Sequence, residues 1–344
     1  GAAGGIVGQN GEDHQVQHCV NAGDVTSNNG YAGGVVSENY GTIAGCSVNS
    51  TDNRVILTQR GQKAQGAICA VNHTTGTVTG SILTGDRIDL QGEADTLGAI
   101  VGKNTGTVSN TTVTQQPNYN VSASALTVGG AVGLNTEGGT VQQVEVTTDF
   151  RNFTDYHYLG GVVGENATDL TNEHPAKVQG CTYTGTIAES KSAVGNCYGG
   201  IVGLNRGLLD GNTVSNLTVT ATGVYTATST STAAQKEVLS SHIGGIAGKN
   251  EATGIIRACY ISNDANAPSS ITVQNGMVGG VTGYNKGTIT RSGDASTEQL
   301  MQGVTKVSEL LKNAEEQKLS ADATWVKWDE NNRVEEMQYN NGTA

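Results

Sequence analysis

Apolar residues along this chain fall in short clusters that return at a nearly fixed interval. Gly4-Gly5-Ile6-Val7-Gly8-Gln9-Asn10 is followed by eight further copies, with leading glycines at Gly33, Gly66, Gly98, Gly129, Gly160, Gly199, Gly244 and Gly279. The closing residue is always Asn, at Asn39, Asn72, Asn104, Asn135, Asn166, Asn205, Asn250 and Asn285. Between them, positions three and four are apolar in nearly every copy, whereas the residue before Asn changes freely. Successive starts lie 29, 33, 32, 31, 31, 39, 45 and 35 residues apart, a period near 31 to 33 with two insertions, 166–178 and 218–241.

After each Asn comes a small turn and a run such as Thr107-Val108-Ser109-Asn110-Thr111-Thr112-Val113. Its alternation of Thr and Val is the period-two signal of a half-buried strand and excludes a helix for the repeats. A less regular stretch such as 121–128 leads back to the next glycine, predicting three strand segments per turn. A unit this short cannot bury its own apolar face, so the copies must stack into one continuous core. The expected fold is all-β, a parallel β-solenoid of about nine coils. A propeller blade would need about 40 to 45 residues and tight antiparallel hairpins. At roughly 4.8 Å per rung the rod would be on the order of 45 Å long.

The closing Asn, often followed two residues later by Gly, suits a corner with left-handed backbone angles. Stacked in register, the Asn amides can also bond one another along the rod. A second column, Cys19, Cys46, Ser81, Thr111, Val144, Cys181, Asn212, Cys259 and Ser292, has the small residues of an inward stack. All six cysteines are therefore expected as buried free thiols acting as small hydrophobes, the alternative being a disulfide between neighbouring rungs such as Cys19 with Cys46. The adjacent apolar pair at positions three and four is harder to place, because consecutive strand residues face opposite ways. Either the pair straddles a glycine-assisted bend or another element covers that strand.

The repeat stops at about residue 294. From Ser296, which forms a capping box with Gln299, the residues Leu300, Val304, Val307, Leu310, Leu311 and Ala314 recur at helical spacing. An amphipathic helix over 296–316 and a tail with Trp325 and Trp328 are expected to close the array. The chain thus divides into a solenoid, 1–294, and a C-terminal cap, 295–344; a helix that docks a partner is the alternative. Inserted loops in solenoids gather on one face, which often binds. The candidate ligand-binding residues are Phe153, Tyr156, His157 and Tyr158 beside the first insertion and His174 within it, against the alternative that the aromatic rings, with Phe150, pack under their own loop.

Composition narrows the function. The 344 residues include 49 Gly, 3 Pro and only 4% aromatics, and the formal charge of −12 argues against nucleic acid or an anionic membrane as partners. No apolar run reaches a membrane span, so no membrane insertion by this segment is expected. The chain opens abruptly on its first repeat and is read as part of a larger protein. His14 and His18 have metal-pair spacing but lie in a turn and strand without a third ligand. The segment 329–333 fails calcium-loop spacing, and no nucleophile elbow or phosphate loop appears. No cofactor or metal is expected. Acidic pairs such as Glu12-Asp13 are adjacent and point apart, so no converging carboxylates suggest an enzyme.

The nine copies of G-G-I-V-G-x-N, followed by G-T-I/V, resemble the GLUG motif of bacterial surface proteins over roughly residues 4–293. The segment 296–339 also resembles the part that closes such arrays. The resemblance implies a secreted or cell-surface location and an adhesin-like binding or spacer role, with a host or bacterial surface glycan or protein as partner. It carries no catalytic residues to transfer. The alternatives are a polysaccharide-acting β-helix enzyme and the non-catalytic repeat region of a larger surface peptidase.

Overall fold

The computed structural model describes residues 2–290, apart from 50–53, 62, 85–86, 116, 122–125, 155, 169–172, 192, 227–229 and 263–268, together with 325–328 and 334–338. The chain is a parallel β-solenoid. A leading sheet of nine strands runs from Ala3–Gly4 to Met277–Gly279, each strand ending on the leading glycine of a copy. A second nine-stranded sheet, Val7–Asn10 to Thr282–Asn285, ends on the Asn. A third, Gln15–Gln17 to Thr288–Thr290, carries the alternating Thr and Val. Nine rungs joined in this way make eight full turns. Every pairing within these sheets is parallel, as in Asn72 with Asn104 and Val78 with Val108, and the register is kept throughout except for one shift in the leading sheet between Leu126 and Thr127.

Each coil is more divided than the expected three segments. In rung two the third strand is followed by Ser47–Val48 and then by Val55–Gln59, giving five. The physical reason is a sharp corner in the middle of the expected second strand. His18, Gly45, Gly80, Asn110, Gln143, Gly180, Gly211 and Ala258 all adopt φ between 49° and 64°, one in each of the first eight rungs. This is the left-handed corner, and it lies just before the Cys column. The Asn itself and Gly41, Gly106, Gly207 and Gly287, two residues after it, are not left-handed, which corrects the sequence expectation; only the longer turns at Asp13 and at Glu137 and Gly138 have such angles. Those glycines are required by space: a Cβ on Gly106 would lie 2.2 Å from both Gly76 O and His73 O.

The leading glycine is fixed in the same way. A Cβ on Gly33 would stand 1.9 Å from Val36 O, and one on Gly129 or Gly160 would stand 1.8 Å from the equivalent carbonyl. The chain therefore folds back on itself between positions one and four. At this fold the N–H groups of Val35 and Val36 both donate to Ile68 O at 3.0 Å, a convergence repeated by Ile100 and Val101 on Ala131 O. Two successive N–H groups aimed at one carbonyl turn two successive side chains inward. Val35, Val36, Ile100 and Val101 are all fully buried, so the apolar pair straddles a bend.

The Asn column forms the expected ladder. Asn10, Asn39, Asn72, Asn104, Asn135, Asn166, Asn205 and Asn250 each donate Nδ2 to Oδ1 of the next Asn at 2.7–2.9 Å. A second donation closes the local turn, as from Asn104 to Gly106 O at 3.1 Å. These buried amides are thereby satisfied, which removes a desolvation cost of about 1–3 kcal/mol per lost partner.

The Cys column also faces inward. Cys46, Ser81, Thr111, Val144, Cys181 and Asn212 are fully buried, and all six cysteines are free thiols, but Cys19 and Cys259 are partly exposed rather than buried. Cys19 lies in the first rung, where no described strand covers its outer side. Ser292 lies outside the described residues. So does the expected helix 296–316; within the tail, Trp325–Trp328 pairs antiparallel with Val334–Gln338.

Candidate functional site

The side of the coil after the left-handed corner is where regularity fails. In rungs one to four its last strands form a separate sheet, Val25–Ser27, Val55–Gln59, Ile88–Gly92 and Asn118–Val121. In rungs five to eight they join the neighbouring sheet instead, because rungs six and seven continue from the left-handed corner through the next bend as single long strands, Thr182–Lys191 and Thr213–Ala221. Phe150–Thr154 of rung five pairs with the second half of Thr182–Lys191, Phe150 opposite Ile187. Asn118–Val121 is left as the edge of the first set.

A cleft of about 740 Å³ opens at this seam, lined by Arg54, by Thr114, Gln115, Pro117 and Asn118 of rung four, by Thr147, Thr148 and Asp149 of rung five, and by Thr184 and Gly185 of rung six. Gly185 has φ 149°, and a Cβ there would stand 1.9 Å from Thr148 O. Only glycine lets the long strand pass so close, and the pairing register shifts at this point. Tyr183, fully buried, supports the same turn by donating its hydroxyl to Thr148 O at 3.0 Å.

The charges around the cleft are already paired. Arg54 Nη1 lies 2.7 Å from Asp89 Oδ1, to which Asn118 Nδ2 also donates at 3.3 Å. Asp149 accepts from Thr186 N–H at 2.7 Å and from Arg151 Nη2 at 2.9 Å. Burial pushes its carboxyl up, but these hydrogen bonds outweigh that and hold it below the ordinary value. An ionised carboxylate already held by an N–H and a guanidinium is a poor general acid. The cleft thus offers a neutral array of exposed Thr114, Gln115, Asn118 and Thr147. Among the described residues no group of three or more His, Cys, Asp or Glu is placed to hold a metal ion.

The aromatic candidates are divided by the fold. Phe153 is buried, stacked on Tyr156 at 4.8 Å and edge-on to Tyr198 at 5.5 Å. Tyr156 packs against the core, and Phe150 is fully buried 6.5 Å from Tyr183. His157 and Tyr158, with ring centroids 4.2 Å apart, remain partly exposed. Burial and the nearby Lys249 lower the His157 pKa, while burial, with Cys197 and Glu165, pushes the Tyr158 hydroxyl up to about 12. His174 is exposed elsewhere, beside Gly138 on the turn of the preceding rung.

The structure therefore brings Phe153 to Tyr156 and His157 to Tyr158, and it leaves His174 apart. The repeat pattern does not mark the seam. The signals present were Gly185, which interrupts a Thr-rich strand, and Asp149 between two threonines and an aromatic residue.

The second insertion is not an open loop. It carries a helix, Ala233–Val238, started by a Thr232–Gln235 capping box. Glu237 Oε1 lies 2.7 Å from Lys249 Nζ, and its Oε2 lies 2.6 Å from Lys286 Nζ, which ties the insertion to the outer face of rungs eight and nine. No known family, curated protein or solved structure matches this chain.

Proposed function

We propose that this chain is a non-catalytic rod of a bacterial surface protein, displayed outside the cell, which spaces and presents a binding site. We place that site in the seam cleft and assign it a neutral, hydroxyl-rich ligand of the surface-glycan class. The observation that carries this reading is the lining: exposed hydroxyl and amide groups surround charges that are already neutralised in pairs. Such groups exchange hydrogen bonds with sugar hydroxyls without stranding a buried charge. The spacer role draws support from three sheets that run unbroken through nine rungs. The resemblance to the GLUG motif supports the extracellular location.

A glycan and matrix-protein array, probed with the whole chain and with a Gln115→Ala/Asn118→Ala variant, tests the assignment. Both residues are exposed and Arg54 still pairs Asp89 when Asn118 is removed, so the melting temperature is expected to change little, and glycan binding is expected to fall at least tenfold. Undiminished glycan binding would remove the cleft from the reading. Binding confined to proteins would contradict the ligand class, and no binding at all would leave the spacer role alone.

A further inference from the structure

The first two rungs carry two cysteines that the rod does not need as thiols. Val20 and Asn21 pair in register with Ser47 and Val48, and Ser47 N–H donates to Cys19 O at 2.9 Å. Cys19 and Cys46, each one residue ahead of these two parallel strands, are therefore neighbours across adjacent rungs. Paired strands run about 4.8 Å apart, and that spacing falls inside the roughly 4.4–6.8 Å window of disulfide Cα separations.

The side chains also converge. Cys46 Sγ reaches back into the first rung, 3.4 Å from Val16 O, while Cys19 Sγ lies 3.3 Å from Gln17 O of the same turn. Burial, and the charge and hydrogen bonding of the Cys19 side chain, raise the Cys46 thiol, whereas the Cys19 backbone lowers it. The other cysteines lack such a neighbour. Cys181 and Cys259 share this column but are separated by Asn212, which bonds both, and Cys69 and Cys197 lie in different sheets.

We propose that Cys19 and Cys46 form a redox pair that closes into a disulfide across the first two rungs. Cys19, the partly exposed member, attacks a small disulfide such as oxidised glutathione, giving a Cys19–glutathione mixed disulfide and one glutathione thiolate. Cys46, deprotonated as it reacts, then attacks Cys19 Sγ and expels the second glutathione. Two protein thiols are oxidised and one glutathione disulfide is reduced to two thiols. The bond staples the first rung, whose strands have a described neighbour on one side only and which leaves Ile6 and Val20 45% and 57% exposed.

The whole chain, reduced and then incubated with oxidised glutathione, tests the pair by intact mass, thiol counting after denaturation and peptide mapping. The expected result is a monomer lighter by about 2 Da, with four titratable thiols in place of six and the Cys19 and Cys46 peptides joined. The Cys46→Ser variant is expected to stop at the mixed disulfide on Cys19. Hydrogen exchange at Val7–Asn10 slows in the oxidised form. Six thiols still free, a stable glutathione adduct on wild-type Cys19, or a dimer linked through Cys19 would each overturn the proposal.

Discussion

Asn104 donates its side-chain amide to Asn135 Oδ1 at 2.8 Å while accepting, on its own Oδ1, the amide of Asn72 at the same distance. Replacing it by Ala strands two buried partners at once. Asn104→Ala is expected to destabilise the rod by about 3 kcal/mol. Asn10 ends the described ladder, so Asn10→Ala removes one ladder bond instead of two, the one to Asn39 Oδ1, and is expected to cost about 1 kcal/mol. Urea unfolding of both variants checks the ratio, and equal losses would contradict a ladder in which each interior amide serves two neighbours.

The left-handed corner predicts a pair of opposite effects. A Cβ on Gly211 would meet nothing within 4 Å, yet φ is 64°, so Gly211→Ala isolates backbone strain and is expected to cost about 1 kcal/mol. Ala258 already bears that strain at φ 49°, and Ala258→Gly is expected to recover a similar amount. Melting curves that shift in the same direction would contradict the assignment.

Acid sensitivity should trace partly to His242. Its ring is 2% exposed, with Nδ1 3.6 Å from Cys197 Sγ, and burial, helped by Lys249, lowers its pKa from 6.5 to about 3. Between those values the unfolded chain binds a proton that the folded chain refuses. This group's contribution to stability is therefore complete above pH 6.5 and declines as pH falls, by about 1.4 kcal/mol per unit. Denaturation from pH 6.5 to 5, a window above most carboxylate titration, checks this. His242→Gln is expected to flatten the slope, and an unchanged slope would contradict the prediction.

The inserted helix predicts a local effect. Burial pushes the Glu237 carboxyl up, but the hydrogen bonds from Lys249 and Lys286 outweigh it and hold the group below its ordinary value. Glu237→Gln removes the charge that both ammonium groups share, and is expected to ease helix opening by about 2 kcal/mol without unfolding the rod. Hydrogen exchange should accelerate in Ala233–Val238 and not at Val101–Asn104. Uniform acceleration would show that the helix is part of the global unit.

The repeat, the parallel stacking and the Asn ladder were legible because each is a column, and a column repeats in sequence whatever its local geometry. The reason for the leading glycine was not legible. It depends on a carbonyl three residues later in the folded coil, as Gly33 does on Val36. The left-handed corner left a diluted trace, since His18, Gln143 and Ala258 share it with four glycines and one Asn. The helix at Ala233–Val238 is not legible as a period because its six residues are too few for one, although Thr232 and Gln235 mark its start. The seam left almost no mark, because it arises from which sheet a strand joins and not from any residue that recurs.

The Asn ladder has a further consequence for assembly. Every inter-rung amide bond runs the same way, from the earlier rung to the later. The side-chain dipoles therefore add along the axis, and the rod is a vector. One face of any rung shows oxygen and the other shows hydrogen. Two-fold contact through this column would oppose like groups, whereas a unit added in the same direction would continue it.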